Sequence, residues 1–398
     1  MAQVINPTSF PHALYRKLGP GGLEYQVLAV RGTFRFTGNN RRLALAETQR
    51  PIRWQETYAA GPEGGQARYI VDDSDLIIGK PTTDVHVHGI LRSPTGQPRS
   101  AWQVRVQVGP VDKRLIVRGP REFRWQLIGG WRVTQAEPVS EVPLDYRYAF
   151  GGHYTPEAHE VGNDTLDVAA RTLYYPDNPV GRGWLPKRAD YKQAPGEVAK
   201  YLKPDLNAVT RLPAPQLEDP DWPVHSPFDR LPPAGFGPIA RWWQPRINRQ
   251  GTLDEEWLAH RHPHWPDDFD ARFYNSAHPD LMAPDYLRGD ELVILTNCLA
   301  GSQRLQSGNV SLYSYRTRLP GLAIKALAEQ QSGKQTVTRL ALDTVGIDLD
   351  LNELTLTWRA LFPPQDPLRR MVVAATGLRS PRTASAVLPA TGGTRHVG

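Results

Sequence analysis

The chain has 398 residues, with 47 Lys and Arg against 41 Asp and Glu and a formal net charge of +6. Acids are interleaved with the basic residues and no Lys/Arg run tracks a phosphate backbone, so the charge pattern gives nucleic-acid binding no support. Cys298 is the sole cysteine, which excludes an internal disulfide or a cysteine-based zinc site. No stretch approaches the ~20 apolar residues that span a bilayer.

The 34 glycines and 37 prolines point to many turns and short strands rather than long helices. At the N-terminus, Pro7 and Pro11 interrupt what a signal peptide would need as an apolar core. Cytoplasmic residence without Sec-type export is therefore expected.

From Tyr25 to Phe36, Leu28, Val30, Phe34 and Phe36 fall on one strand face. Trp102, Val104, Val106 and Val108 alternate with polar residues, and Phe123, Trp125 and Leu127 repeat the device. Period-two patterning is what half-buried antiparallel strands need. Turn signals at Gly109-Pro110, Gly119-Pro120 and Gly129-Gly130 separate the runs. From 149 to 233 the chain becomes rich in loops and proline, with Trp184, Trp222 and Phe228 interspersed. In the next part Thr252 and Glu255 form a candidate capping box for a helix that runs to about His260 and stops at Pro263. Strands are expected again near 291–295, 311–315, 336–343 and 353–358, and Val345, Ile347 and Leu349 face Leu354, Leu356 and Trp358 in a candidate hairpin.

The pattern predicts a mainly β protein: an antiparallel sandwich or open-barrel arrangement with long Pro/aromatic-rich loops and a few short helices. Its regions are an N-terminal β region (1–148), a Pro/Gly-rich loop belt (149–234), an aromatic segment with a C-terminal β region (235–374) and a disordered tail (375–398).

Chemistry-bearing motifs are sparse. His260, His262 and His264, or His86 and His88 on one strand face, offer imidazoles, but their spacing matches no standard metal site. Asp267, Asp268 and Asp270 beside Pro266 are explained by turns, and Asp254 and Glu255 by the start of a helix. Cys298 lies in an apolar stretch, as a small buried hydrophobe would. No catalytic set, cofactor or metal is expected. A metal-dependent hydrolase built on the cluster from His260 to Asp270 is the rival reading. The segment from Gly235 to Asp280 is instead dense in aromatics without regular periodicity. Trp242, Trp243, Arg246, Trp257, Trp265 and Phe273 are the candidate protein-binding residues, because Trp and Arg supply many interface hot spots. The competing reading is that they pack the loop onto the core.

Several blocks in order carry a family resemblance: Asp73 to Pro98 with Lys80-Pro81 and Asp84, Phe150-Gly151-Gly152, the loop from Asn178 to Gly183, GFGPIARWWQPR, GTLDEEWL, DFDARFYNSAHPD, and the run ending at Trp358-Arg359. The chain resembles the bacterial family known as domain of unknown function 2169, whose members are encoded with type VI secretion systems. The resemblance implies an adaptor or chaperone that binds a type VI effector toxin and promotes its loading onto the VgrG or PAAR-type spike. A structural piece of the secreted spike is a further alternative. No nucleic-acid or membrane partner is expected.

Overall fold

A computed structural model describes residues 2–60, 68–156, 172–187, 189–190, 209–298, 303–307 and 310–377. The expected mainly β architecture is present, and no closed barrel forms among the described residues. A central six-stranded sheet carries His12–Leu18, Glu24–Arg35, Glu353–Phe362, Ala341–Asp348 and Asp84–His88 in that order, with a short strand at Ala44–Leu45 beside the second. A second six-stranded sheet is built around Ala101–Val108, which lies between Val111–Arg118 and Leu292–Thr296. A four-stranded sheet joins Gln3–Ile5, Leu368–Gly377, Leu322–Gln330 and Gln335–Arg339. Most pairings are antiparallel; Asp84–His88 on Ala341–Asp348, Gln3–Ile5 on Leu368–Gly377 and Phe150–Gly151 on Arg182–Gly183 are parallel.

The first and last thirds of the chain are one structure, since Glu24–Arg35 pairs along its length with Glu353–Phe362. The alternation in the sequence explains the core. Trp102, Val104, Val106 and Val108 are buried, and they share one apolar cluster with Leu28, Val30, Leu354, Leu356 and Trp358 of the central sheet and with Ile324, Met371 and Val373 of the four-stranded sheet. The hairpin expected around residue 350 forms, pairing Val345 with Leu356 and Ile347 with Leu354.

The central sheet has two unlike faces. Strand register puts Val85, Val345, Leu356 and Phe34 on the core side. The same register sets out three polar rows on the other side, where Asp84, Thr344, Thr357 and Arg31 form one and His86, Gly346, Thr355 and Thr33 the next. His88, Asp348, Glu353 and Arg35 complete the third.

Three local expectations need correction. The run expected as one strand at 336–343 is divided between Gln335–Arg339 and Ala341–Asp348, in different sheets. The helix Glu255–His260 is capped by Asp254, whose side chain accepts from the Trp257 amide, so the capping box on Thr252 does not form. Thr252 is held by Asp268 instead, and a carboxylate two residues closer to the helix takes the role that an N-cap needs. The final strand runs to Gly377, beyond the expected start of the tail at 375, because Gly377 still pairs with Leu322. The remainder of that expected tail lies outside the described residues.

The blocks in the loop belt form a compact unit. Asn178 donates from Nδ2 to the carbonyls of Tyr146 and Phe150, and Phe150-Gly151 pairs with Arg182-Gly183. Gly151 has φ +143°, and a Cβ there would stand 2.1 Å from the Asn178 carbonyl oxygen. Only glycine permits this approach. No helix among the described residues is long and apolar enough to cross a membrane.

Candidate protein-binding surface

The aromatic segment is held on a buried ionic anchor. Lys80 Nζ lies 2.7 Å from Asp84 Oδ2, with both side chains almost fully enclosed. Asn275 Nδ2 donates to Asp84 Oδ1 and the Ser276 amide donates to Oδ2, each at 2.8 Å. Burial pushes the Asp84 carboxyl up, but Lys80 and His86 more than reverse this and hold it well below the usual carboxylate range. Asp73 is also net lowered against its burial, chiefly by Arg246 and then Lys80. A buried charge is tolerable only when paired and hydrogen-bonded in this way.

Arg246 completes the anchor. It donates to the carbonyls of Phe273 and Ile239 at 2.8 and 2.7 Å and faces Asp73 at 3.5 Å. It is 2% exposed, so it organises the segment from inside. Trp243 is wholly buried, edge-on to Tyr146. Trp242, the next residue, is 45% exposed and stacks on Tyr58 with ring centroids 5.8 Å apart.

The other candidates also divide by role. Trp257 is half-buried, donates from Nε1 to the His264 carbonyl and meets His262 edge-on, which secures the turn after the short helix. Trp265 packs on Phe269 at 4.4 Å and against the apolar cluster of Ala13, Tyr15 and Ile78. Phe273 lies half-buried beside Phe269 and Tyr274, with the Arg246 guanidinium 5.7 Å from its ring centre. These six residues do not make one surface. Among them Trp242 is the exposed contact, and Tyr58 is its missed neighbour.

His260, His262 and His264 are exposed, and no group of three or more His, Cys, Asp or Glu among the described residues is placed to hold a metal ion. Cys298 is buried, with its thiol pushed up to about 12 by burial.

A second surface lies where strand alternation pointed inward. The hairpin Glu122–Gln126 with Gly130–Val133 buries Phe123 but leaves Trp125 half exposed. Its tip residues Leu127 and Ile128 are 94% and 89% exposed. Arg211–Pro213 pairs with Glu122 to Arg124, and the Trp125 amide donates to the Thr210 carbonyl, so the backbone of the hairpin is covered as far as Trp125 while its tip extends beyond. Trp125 and Trp131 pack edge to face at 6.0 Å beside the tip. On the reverse face Arg132, Arg124 and Arg211 stand directly opposite one another across the three strands, and all are exposed. Glu122 pairs with Arg124 alone of the three. Like charges in such a row oppose one another, and an exposed tip of large apolar residues is a mark of a protein contact.

Residues 21–359 match the family model described as "Uncharacterized protein conserved in bacteria (DUF2169)". The chain belongs to this family. The match spans the anchor, the aromatic segment and the hairpin. Searches among curated proteins and solved structures find no match.

Proposed function

We propose that this DUF2169 protein is a cytoplasmic adaptor that binds a type VI secretion effector and promotes its loading onto the VgrG spike. The observation that carries the reading is the exposed tip Leu127-Ile128 flanked by Trp125 and Trp131. Such a tip costs free energy in water and is recovered when a partner covers it. Its arginine-bearing reverse face adds charge complementarity toward an acidic partner. Trp242 on Tyr58 supplies another exposed aromatic contact of the kind that carries binding energy. The rest of the molecule supports these contacts as a rigid β framework, and preorganisation lowers the cost of association.

The test is genetic and biochemical. The gene for this protein is deleted in a strain that carries an effector gene beside it, and effector abundance and secretion are followed. The adaptor reading expects co-purification of the effector with the tagged protein and loss of effector secretion in the deletion strain. An effector that is equally abundant and equally secreted without this protein contradicts it. Appearance of the protein itself in the secreted fraction contradicts the cytoplasmic part of the proposal.

A further inference from the structure

A different part of the molecule points to a ligand. The first two polar rows of the central sheet are largely shielded from solvent, whereas Arg35 at the end of the third is exposed. Residues of segments 49–54 and 71–75 close over these rows and border a cavity of about 330 Å³. That volume falls at the lower end of the ~300–1,000 Å³ usual for small-ligand sites. Gly346 forms part of the floor in the middle of its strand, and a Cβ there would stand 2.5 Å from Thr355 Oγ1. The mouth is bordered by Arg50, Pro51 and Leu351, none of them buried.

Two buried groups on the cavity wall have a polar atom without a protein partner: Nδ1 of His86, which is 6% exposed, and Nε of Arg31, which is 2% exposed. Native interiors rarely leave such atoms unmatched. The His86 Nε2 faces the Ser276 hydroxyl at 3.2 Å and the Asp84 carboxylate at 3.6 Å. We assign the ring proton to Nε2, where the Asp84 carboxylate and the Ser276 hydroxyl face it, which leaves Nδ1 with a lone pair to accept. Arg31 Nε–H can only donate. The wall thus offers an acceptor at one end and a donor at the other, with the floor of Gly346, Thr355 and Thr357 between them.

Each arginine of the wall is already paired. Arg31 pairs with Asp75, Arg50 with Glu353 and Arg53 with Asp72, while Asp348 accepts from the Asp350 and Leu351 amides. Burial also holds His86 and His88 toward the neutral form. An anionic ligand would have to displace one of these pairs. No Phe, Tyr or Trp lines the cavity, so no aromatic ring is there for a sugar to stack on.

We propose that this cavity binds a neutral ligand bearing carboxamide groups, which donates an N–H to His86 Nδ1 and accepts from Arg31 Nε–H. The chemistry is shared by a free small amide and by an uncharged peptide segment. The inference stands apart from the adaptor reading, because it rests on the cavity and not on the hairpin tip.

The experiment uses the full chain with ¹⁵N-labelled histidine rings. Three probes are titrated separately: N-acetylglycinamide, a blocked Gly-Gln-Gly tripeptide, and N-acetylglycine, whose carboxylate is ionised at neutral pH. The expected result is a saturable shift of the His86 ring nitrogens with an amide probe, in the millimolar range or below, while the exposed His225 is unmoved. A response to the small amide alone assigns a small-molecule site; a stronger response to the tripeptide assigns a peptide site. Gly346→Ala should abolish the shift. Thr355→Val, which keeps the side-chain volume, should weaken it several-fold and covers the case that the first variant fails to fold. No saturable shift with either amide overturns the proposal. An equal response to the carboxylate probe, or an undiminished one in both variants, also overturns it.

Discussion

Asn275 donates from Nδ2 to Asp84 Oδ1 at 2.8 Å across 191 residues of sequence. This bond joins the aromatic segment to the edge strand of the central sheet. Lys80 neutralises the same carboxylate from the other side. The three residues therefore tie the irregular, aromatic-rich segment that carries Trp242 to the sheet.

Lys80→Met is expected to leave Asp84 buried without its counter-charge. Breaking one side of a buried pair costs about 3–5 kcal/mol, a large part of the ~5–15 kcal/mol that stabilises a typical domain. Denaturant unfolding of the variant checks this. A change within about 0.5 kcal/mol, the usual range for surface substitutions, would show that the anchor is not structural.

The adjacent tryptophans should behave in opposite ways. Trp243→Ala removes a wholly buried ring, and a loss of about 3–5 kcal/mol of stability is expected. Trp242→Ala removes a half-exposed one and is expected to change stability by less than about 1 kcal/mol. Melting curves for the two variants side by side provide the comparison. Equal losses would mean that Trp242 is part of the core.

How much of this was legible in the sequence depends on what sets each feature. The strands around Val104 and Leu356 were readable, because period-two burial is a local property and both strands lie on the core. The hairpin at Phe123, Trp125 and Leu127 has the same pattern and is exposed at its far end. Whether a face is covered depends on how far its neighbour strand extends, which local alternation does not encode. The Thr252 capping box was overtaken by Asp254, a competing cap two residues on. Trp242, Trp243 and Arg246 were found as a group from composition, yet their division into outward and inward roles depends on Asp73 and Tyr146, distant in sequence. Tyr58 was missed because nothing in its polar surroundings marks it as a neighbour of Trp242. His86 was visible as one of a pair on a strand face, but the polar cavity follows from the register of four strands.

Acid should weaken the fold before carboxylates of ordinary pKa are protonated. His278 is pushed down to about 4 by burial and then by Lys113, against the pull of Asp280 and Asp219. Burial also lowers His86, with Lys80 adding to the effect and Asp84 opposing it. A histidine lowered in the folded state takes its proton more readily when unfolded. Its contribution is therefore complete above the unfolded value of about 6.5 and is lost as pH falls toward the folded value. For His278 alone the full loss is about 3 kcal/mol. The carboxyls of Asp84 and Asp73, lowered in the fold, add further loss below about pH 4. Chemical denaturation between pH 7 and pH 4 should show a steady decline in stability, and a flat profile over that window would contradict the assignment of buried neutral histidines.

The adaptor account is tested most directly by binding to the hairpin tip. Leu127→Asp with Ile128→Asp alters two side chains that are 94% and 89% exposed, so the melting temperature should stay unchanged. Isothermal titration of the purified effector into the native protein and into this double variant is the decisive measurement. The account predicts a complex with the native protein and at least a ~30-fold weaker one with the variant, equivalent to the ~2 kcal/mol of a hot spot. Undiminished binding by a folded double variant, or no binding by the native protein, would contradict it.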